Sequence, residues 1–526
     1  MASIKDTQSK ETKGENRESV DANLAKTALQ SGQVIIIKIS STFLGFGFNY
    51  FLAHYFGAHI VGQFSLVQAI VNICAVFTVF GLNAGLIKYI PQFKNQSDYG
   101  KLRAIVSDAF KFGFLFSCIA TVGLILSRGI IAREIFKNEQ LVDLLLWGGF
   151  ALVPVTLTRV ADGWYRGFKK ASRFNFYNLV IYKFILFASV GVLPVIGLVH
   201  ARWVVVVYVG AFTVLACLLV VKARDFDVGG SDVLHHIFFS TEKAGQYSEI
   251  RQKLLRYSST MLLVTFMAFL LGKTDILMIG YFMEPEAVGI YRIALLISNT
   301  VLITLTSVNS IFPAFISELY ASQRIRELDD MYGATTKWIL VISMPLAITL
   351  GVFADVILAF FGEAFVSAVT ALLILVIGFL VSAGVGANGH ILRIVGFEKI
   401  ELYNTVAIVV MNIAINLLII PRYGIEGAAI ATALSVGLVS IIKIFEVQYL
   451  VGVFPYNWHF WHLIPSALIC GGLALLARGV VDDLVSVGIA FAVNLFIFGG
   501  MAYWFRDETD AGLLKHALAW KKRKLG

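Results

Sequence analysis

The chain contains 526 residues, of which 58% are hydrophobic and 15% are charged, and its formal net charge at pH 7 is +9. A soluble protein of this size could not bury so large an apolar fraction, whereas a lipid bilayer accepts it directly. The composition therefore excludes a soluble globular protein and predicts a polytopic membrane protein, for which we expect no nucleic-acid partner.

The chain begins with a polar cytoplasmic tail, residues 1–31, in which no apolar segment follows a basic start, so no cleavable signal peptide is expected. About fourteen apolar stretches of roughly 20 residues follow, each long enough to cross a hydrocarbon core. The pattern predicts an all-α polytopic membrane protein with about fourteen transmembrane helices. The predicted helices are 33–56, 63–90, 104–127, 141–165, 175–198, 203–221, 255–282, 287–312, 337–360, 366–391, 401–420, 425–450, 460–477 and 484–505.

The first six predicted helices are echoed by the next six. YFGAHIVGQF at 55–64 is answered by YFMEPEAVGIY at 281–291, and GFKKASRFNFYNLVI at 167–181 is answered by GFEKIELYNTVAI at 396–408. In each aligned pair, the two members are separated by nearly the same number of residues. The pairs are Phe56 with Phe282, Gly62 with Gly289, Gly167 with Gly396 and Asn178 with Asn404. Duplicated six-helix halves are typical of secondary transporters, in which the substrate binds between the halves and access alternates.

The repeat also predicts the domain organisation and the orientation. The predicted divisions are an N-terminal lobe at 32–221 (helices 1–6), an inter-lobe linker at 222–254, a C-terminal lobe at 255–450 (helices 7–12), helices 13 and 14 at 451–505, and a basic tail at 506–526. The connections on the same side as the linker contain far more lysine and arginine than the connections on the opposite side. The positive-inside rule therefore predicts a multi-pass protein of the cytoplasmic membrane with both termini and the linker in the cytoplasm.

Basic residues inside the predicted spans are the main candidates for a binding site, because each costs about 2.5–3.5 kcal/mol at a helix centre on the insertion scale. Three of these basic residues, Lys88, Lys111 and Lys443, lie near cytoplasmic helix ends and are expected to snorkel. The candidates for a cationic, substrate-binding cavity are Lys38, Arg159, Lys183, Lys273 and Arg292.

Three of these candidates also have a purely structural interpretation. Lys38 shares one helix face with Ser41, Thr42, Gly45 and Asn49, which fits a wet cavity wall or a packing seam with one snorkelling lysine. Arg159 shares a face with Asp162 and Arg166, which favours a self-neutralised group on one helix. Arg292, five residues into helix 8, fits either snorkelling or bidentate binding of a phosphate.

Asp275 is a rare carboxylate deep within a span, and it occupies the repeat position of Asn49. It could bind a coupling proton or sodium ion, and Asp275 with Asn49 is the candidate ion-coupling pair. A structural ion pair with Lys273 or another base is the alternative. No catalytic residue, metal site or other cofactor is expected, and the four cysteines match no disulfide or zinc spacing.

Two stretches carry a family resemblance, TDILMIGYFMEPEAVGIYRIA at 274–294 and GFEKIELYNTVAIVVMNIAINLLIIPRYGIEGAAIATALS at 396–435. With the predicted helix count, they resemble the polysaccharide-export branch of the multidrug, oligosaccharidyl-lipid and polysaccharide exporter superfamily over roughly residues 30–505. The resemblance implies two six-helix lobes in a V around a cationic cavity, with helices 13 and 14 forming a groove for a lipid tail.

The function that the resemblance implies is a flippase. It would move a polyprenyl-pyrophosphate-linked oligosaccharide across the cytoplasmic membrane by alternating access, for surface polysaccharide biosynthesis. The implied partners are the lipid-linked glycan, membrane lipids, and a polysaccharide polymerase with its assembly proteins.

Two other functions were weighed against the flippase. An ion-coupled multidrug or toxin antiporter of the same superfamily commonly places carboxylates in helix 1, where this chain has Lys38 and no acid. A membrane glycan polymerase or glycosyltransferase would need catalytic groups on a sizeable loop, but the predicted outer loops are short. The chain also has no GxxxxGK[ST] or HExxH motif, so we expect that it is not an enzyme.

The orientation can be tested with single cysteines at Ser231, in the linker, and Asn138, in a predicted outer loop, in a cysteine-free background. We expect an impermeant thiol reagent to label position 138 and not position 231 in intact cells, because the basic linker stays inside. Permeabilised cells provide the control in which both positions react. Labelling of position 231 alone in intact cells would reverse the topology.

Overall fold

Apolar segments of this length form helices because, in hydrocarbon, every backbone N–H and C=O group must be satisfied within the protein. The computed structural model describes residues 2–222, 226, 247–310, 312–457, 460–479 and 483–504. All regular secondary structure in these residues is helical. The predicted all-α class is therefore confirmed, while the C-terminal tail and most of the linker lie outside the described residues.

The described helices follow one another with short connections. In chain order they are α1 (Ala2–Val79), α2 (Leu82–Asn95), α3 (Tyr99–Ile130), α4 (Gln140–Gly149), α5 (Leu152–Gly167), α6 (Ala171–Asn175), α7 (Tyr182–Val195), α8 (Ala201–Lys222), α9 (Ser248–Phe282), α10 (Pro285–Ser298), α11 (Ile303–Val308), α12 (Phe312–Ala321), α13 (Ile325–Val352), α14 (Ala354–Ala359), α15 (Val369–Gly384), α16 (Asn388–Val395), α17 (Glu398–Val451), α18 (Leu463–Ala477) and α19 (Leu484–Trp504). Single π or 3₁₀ turns extend several of them.

Ten helical segments of the described chain are long and apolar enough to cross a membrane, and eleven if the pair α4 and α5, bent by 45°, forms one span. Helix α18 is apolar but shorter. Many large apolar side chains face outward, among them Leu126 at 79% and Leu476 at 81% exposure, as lipid-facing residues do. These features show a multi-pass membrane protein.

Two predicted loops are reduced to single glycines. Helices 1 and 2 merge in α1, whose only non-helical residue is Gly57 with φ 75° and ψ 170°. Helices 11 and 12 merge in α17 across Gly424, with φ 58° and ψ −133°. Glycine is suited to both positions because it adopts positive φ without a Cβ clash. Helix 7 also starts earlier than predicted, at Ser248 instead of 255.

The repeat-related glycines Gly62 and Gly289 pack against each other where α1 crosses α10. A Cβ added to Gly62 would lie 1.6 Å from the Pro285 carbonyl oxygen, and one added to Gly289 would lie 2.0 Å from that of Ala58. Small residues let helix backbones approach this closely. The N-terminal half (α1–α8) and the C-terminal half (α9–α17) therefore meet at a near-symmetric backbone contact, at the end of the molecule opposite the linker.

A second contact between the halves lies at the linker end, where α8 finishes and α9 starts. The side chains of Leu254 and Ser258 on α9 are buried against α2. A Cβ added to Gly81 would lie 2.3 Å from the Ser258 carbonyl oxygen, and one added to Gly85 would lie 2.4 Å from Leu254 Cδ1. Both ends of the interface between the halves are therefore packed.

Helices α18 and α19 pack on the C-terminal half through α13. Leu463, Cys470 and Phe498 form a small buried cluster with Leu340 of α13. The Asn494 amide also donates a hydrogen bond to Thr349 Oγ1 at 3.3 Å. These contacts attach the extra helix pair to the C-terminal half.

The close contact between the backbones of α1 and α10 requires residues without a Cβ at the crossing. We expect Gly289→Ala to lower the thermal stability of the purified protein by about 1–3 kcal/mol, because the clashing atom is a backbone oxygen that cannot rotate away. Gly471→Ala is the matched control, since nothing lies within 4 Å of the added methyl group. Equal melting temperatures for both variants would contradict the close crossing.

Candidate functional site

Two of the candidate lysines lie beside the polar face of α1. The Lys38 ammonium donates a hydrogen bond to Ser310 Oγ of the C-terminal half at 2.9 Å. Lys183 Nζ on α7 donates to the Ser41 carbonyl oxygen at 3.0 Å. It also lies 3.2 Å from the position that a Cβ on Gly45 would occupy. This face of α1 therefore contacts two ammonium groups.

The two candidate arginines bind the second segment of α1, after Gly57. Arg159 Nη2 on α5 donates to Asn72 Oδ1, and Arg292 Nη1 on α10 donates to Ser65 Oγ at 2.7 Å. The Arg292 guanidinium also lies 5.6 Å from the centre of the Phe64 ring, within the range of a cation–π contact. Arg292 therefore reaches across from the C-terminal half to the N-terminal half.

Lys273 and Tyr208 complete this group of side chains. The half-buried Lys273 on α9 lies within electrostatic range of Arg292. The buried Tyr208 on α8 lies within electrostatic range of both Arg159 and Arg292. Ser65 and Asn72, seven residues apart on α1, place the two arginines about 10 Å apart along the helix axis.

None of the five candidate bases forms an ion pair with a described residue. Lys38, Lys183, Arg159 and Arg292 all donate to neutral oxygen atoms. The acid nearest in sequence to Arg159 is Asp162, which instead pairs with Arg166 at 2.6 Å. Positive charge at membrane depth without an acidic partner attracts anions strongly, because the low dielectric weakens screening.

Asp275 is held by neutral donors in the core of the C-terminal half. The carboxylate is 8% exposed, and it accepts hydrogen bonds from the Tyr291 hydroxyl at 2.9 Å, the Asn416 amide at 2.9 Å and the Thr432 hydroxyl at 2.5 Å. The Asn412 amide donates in turn to Thr432 Oγ1 at 3.3 Å. The ion pair that was considered for Asp275 does not form with any described base.

The polar atoms around Asp275 are those that a proton or a small hard cation would need. Asn416 Oδ1 is buried and has no hydrogen-bond partner. The orientation of an amide is assigned from its hydrogen bonds. The Asn416 side chain can therefore turn its oxygen, in place of its nitrogen, toward a cation bound beside Asp275. A carboxylate, amide oxygens and a hydroxyl are oxygen ligands of the kind that hard cations prefer. No group of three or more His, Cys, Asp or Glu side chains that could bind a metal occurs in the described ranges.

Asn49, the repeat counterpart of Asp275, has a different environment. Its amide donates to the Gly45 carbonyl oxygen of its own helix at 2.7 Å, and its Oδ1 is buried without a partner. Asn49 makes no hydrogen bond with the group around Asp275 in the described structure. The repeat therefore places two polar groups at equivalent positions without bringing them together.

Sequence reasoning missed the asparagines that surround Asp275. Asn412 and Asn416 are one helical turn apart in an otherwise apolar stretch of the second resemblance segment, a signal that could have identified them. The expectation that Lys443 snorkels is wrong. Its side chain is 11% exposed and pairs with Glu401 at 2.9 Å. The pairing occurs because α16 and the segment of α17 before Gly424 pack beside the later segment, which carries Lys443.

Comparisons with known proteins place these features in context. The polysaccharide biosynthesis protein family matches residues 57–370. A relative in Haloferax volcanii, the probable low-salt glycan biosynthesis flippase Agl15, is 22% identical over 487 residues, or 91% of this chain and 95% of the relative. An uncharacterized membrane protein of Methanocaldococcus jannaschii is 25% identical over 453 residues, or 84% of this chain and 86% of the relative.

Two solved structures share the fold. The lipid II flippase MurJ in an inward closed conformation superposes with a TM-score of 0.69 at 13% identity, covering 90% of this chain and 98% of MurJ. An inward-facing multidrug resistance MATE family transporter of the MOP superfamily gives a TM-score of 0.63 at 14% identity, covering 80% of this chain and 98% of the transporter. These likenesses show the helical arrangement and do not identify a substrate.

Proposed function

The chain belongs to the polysaccharide biosynthesis protein family. From this membership, its similarity to a glycan biosynthesis flippase and its fold, we propose that it is a flippase of the MOP superfamily that translocates a polyprenyl-(pyro)phosphate-linked oligosaccharide by alternating access. The observation that carries the proposal is a set of basic side chains that bond only neutral oxygen atoms. Lys38 and Arg292 do so across the halves, and Arg159 and Lys183 do so within the N-terminal half. A (pyro)phosphate supplies the missing negative charge.

The binding step follows from the positions of the bases. Arg292 holds a phosphate through two parallel hydrogen bonds, which replace its single bond to Ser65, and Lys273 adds a second positive charge beside it. Lys38 contacts Ser310 across the halves and contributes from α1, while Arg159 and Lys183 extend the positive surface. Release of the Arg292–Ser65 bond frees one link between the halves as the substrate binds.

The proposed architecture has fourteen spans in two six-helix lobes with an extra pair. The eleven candidate spans become thirteen when the helices broken at Gly57 and Gly424 each count twice, and α18 adds the fourteenth. This even number keeps both termini on one side, which the excess of lysine and arginine assigns to the cytoplasm. The cytoplasmic membrane is the proposed location, and a polysaccharide polymerase with its assembly proteins are proposed partners.

We further propose that Asp275 with Asn412, Asn416 and Thr432 binds the coupling ion, a proton or sodium. The carboxylate bonds side chains of the C-terminal half and forms no ion pair with Lys273 or Arg292, although Lys273 is its near neighbour in sequence and Arg292 is that of Tyr291. Ion and substrate would therefore bind to different groups of the same protein. Asn49 would then have no part in coupling, in contrast to its inclusion in the candidate pair.

The multidrug antiporter remains the competing function, because a MATE transporter shares the fold. The basic side chains at the interface favour an anionic substrate over the cationic compounds that an acidic cavity would attract. An enzyme is not proposed, since the Haloferax volcanii relative is a probable flippase and the two solved structures are a flippase and a transporter.

The anion site predicts a loss of transport when its bases are removed. Replacing Lys273 or Arg292 by alanine should weaken substrate binding by roughly 10–100-fold, the effect of losing one charge-assisted hydrogen bond. Complementation of a flippase-deficient strain should fall while the amount of inserted protein stays near normal. Arg292→Lys should rescue only partly, because an ammonium cannot bind a phosphate through a planar fork.

The matched control for this prediction neutralises Lys521, Lys522, Arg523 and Lys524 of the C-terminal tail together, and it should barely change complementation. Lipid-linked oligosaccharide should accumulate on the cytoplasmic side only in the Lys273 and Arg292 variants. Full complementation by the Lys273→Ala, Arg292→Ala double variant would refute the anion site.

Ion coupling predicts a different result for the carboxylate. Asp275→Asn should remove the dependence of transport on the ion gradient, because an amide carries no charge to exchange for a proton or sodium. Protein level and melting temperature should change little, since the amide can keep hydrogen bonds to its neighbours. Asn49→Ala, at the equivalent repeat position, should retain the gradient dependence. Unchanged dependence in Asp275→Asn would leave this carboxylate with a structural role only.

A further inference from the structure

A bidentate ion pair joins the two halves at the linker end. Arg251 on α9 donates from Nε to Asp108 Oδ2 at 3.0 Å and from Nη2 to Asp108 Oδ1 at 3.0 Å. Asp108 lies on α3, so the pair connects the N-terminal half to the C-terminal half. We name this pair the Asp108–Arg251 latch.

The two partners of the latch differ in exposure. The Asp108 side chain is 12% exposed, whereas that of Arg251 is 49% exposed. The buried carboxylate therefore depends on Arg251 for charge compensation, because removing one partner of such a pair leaves a buried charge alone. The guanidinium, by contrast, remains accessible to a competing anion.

The latch lies beside the packed contact of Leu254 and Ser258 on α9 with α2, which we name the seam. Three residues after Arg251, Leu254 is 1% exposed, and Ser258 one turn further is fully buried against α2. Ser258 Oγ is buried without a hydrogen-bond partner, so no polar contact holds it in place. Separation of the halves at the linker end must break the latch and expose Ser258.

An open cavity of about 500 Å³ lies next to the latch. Its described lining consists of Ser248, Arg251, Gln252, Leu255 and Arg256, which share one face of α9. Arg256 is exposed and forms no ion pair with any described residue. The two guanidinium groups carry donors and positive charge only, and the Gln252 amide and the Ser248 hydroxyl can each donate as well. A phosphate group matches the planar forks of arginine.

We propose that this cavity is a phosphate subsite whose occupation releases the latch. The phosphate binds Arg256 and competes with Asp108 for Arg251, so the ion pair between the halves opens when the anionic head of a lipid arrives. The proposal rests on the proposed function, because it assigns a phosphate-bearing substrate to this protein. It adds an entry site that is separate from the bases Lys273 and Arg292.

Opening can be measured without transport by using Ser258→Cys in a cysteine-free background, since position 258 is buried in the seam. The protein is placed in nanodiscs of phosphatidylcholine, and the rate of labelling by N-ethylmaleimide is recorded with and without inorganic pyrophosphate. We expect pyrophosphate to raise the rate several-fold. A second arm uses nanodiscs containing phosphatidylglycerol without pyrophosphate.

The two arms identify the source of the phosphate. Acceleration by pyrophosphate in phosphatidylcholine supports a free or substrate-borne (pyro)phosphate, and acceleration by phosphatidylglycerol alone supports a membrane lipid headgroup. Either result supports the subsite. The same labelling rate in all three conditions overturns it.

Variants separate recognition from latching. Arg251→Ala should label roughly tenfold faster without pyrophosphate, because the latch is lost. Arg256→Ala should label slowly and respond weakly, because the latch is intact and recognition is impaired. Lys253→Ala is the matched control, an exposed base on the same helix that does not line the cavity, and it should respond fully.

A charge-reversed pair tests the latch directly. Asp108→Arg with Arg251→Asp should restore slow labelling, which a merely destabilising substitution would not do, and should lose the response to pyrophosphate. A normal response in Arg256→Ala would overturn the subsite. Failure of the proposed function can be distinguished from failure of the subsite. The former appears as full complementation by the Lys273→Ala, Arg292→Ala double variant and leaves the labelling result unchanged.

Discussion

The structure depends on positive charge that is placed between two halves of a membrane protein without acidic partners. Arg292 and Lys183 bind a hydroxyl and a carbonyl oxygen, so hydrogen bonding satisfies their donors while their charge is not cancelled. Holding such groups at membrane depth costs free energy, which a packed interface must offset. A bound anion would offset this cost, which is the physical basis of the proposed binding.

Close helix packing joins the two halves at two separate places. At one end Gly62 and Gly289 bring two backbones together, and at the other Ser258 is buried beside the Asp108–Arg251 latch. The two contacts differ in chemistry. The glycine crossing depends on shape alone, whereas the linker end includes an ion pair that an anion can disrupt.

The two halves have diverged where their repeat positions carry polar groups. In the C-terminal half, Asp275 accepts hydrogen bonds from side chains of α10 and α17. In the N-terminal half, Asn49 bonds only within its own helix. Equivalent positions of the repeat therefore carry a buried carboxylate with partners on two other helix segments in one half and an amide bonded within its own helix in the other.

The sequence by itself determined the membrane class, the helical composition, the repeat and which basic residues lie within the helices, because hydrophobic run length and charge placement are local properties. It could not determine partners. Arg159 binds Asn72 instead of Asp162, and Lys443 pairs with Glu401 instead of snorkelling, because residues distant in sequence meet only after the helices pack. The helix breaks at single glycines and the grouping of Asn412 and Asn416 around Asp275 likewise depend on tertiary contacts, which no local pattern encodes.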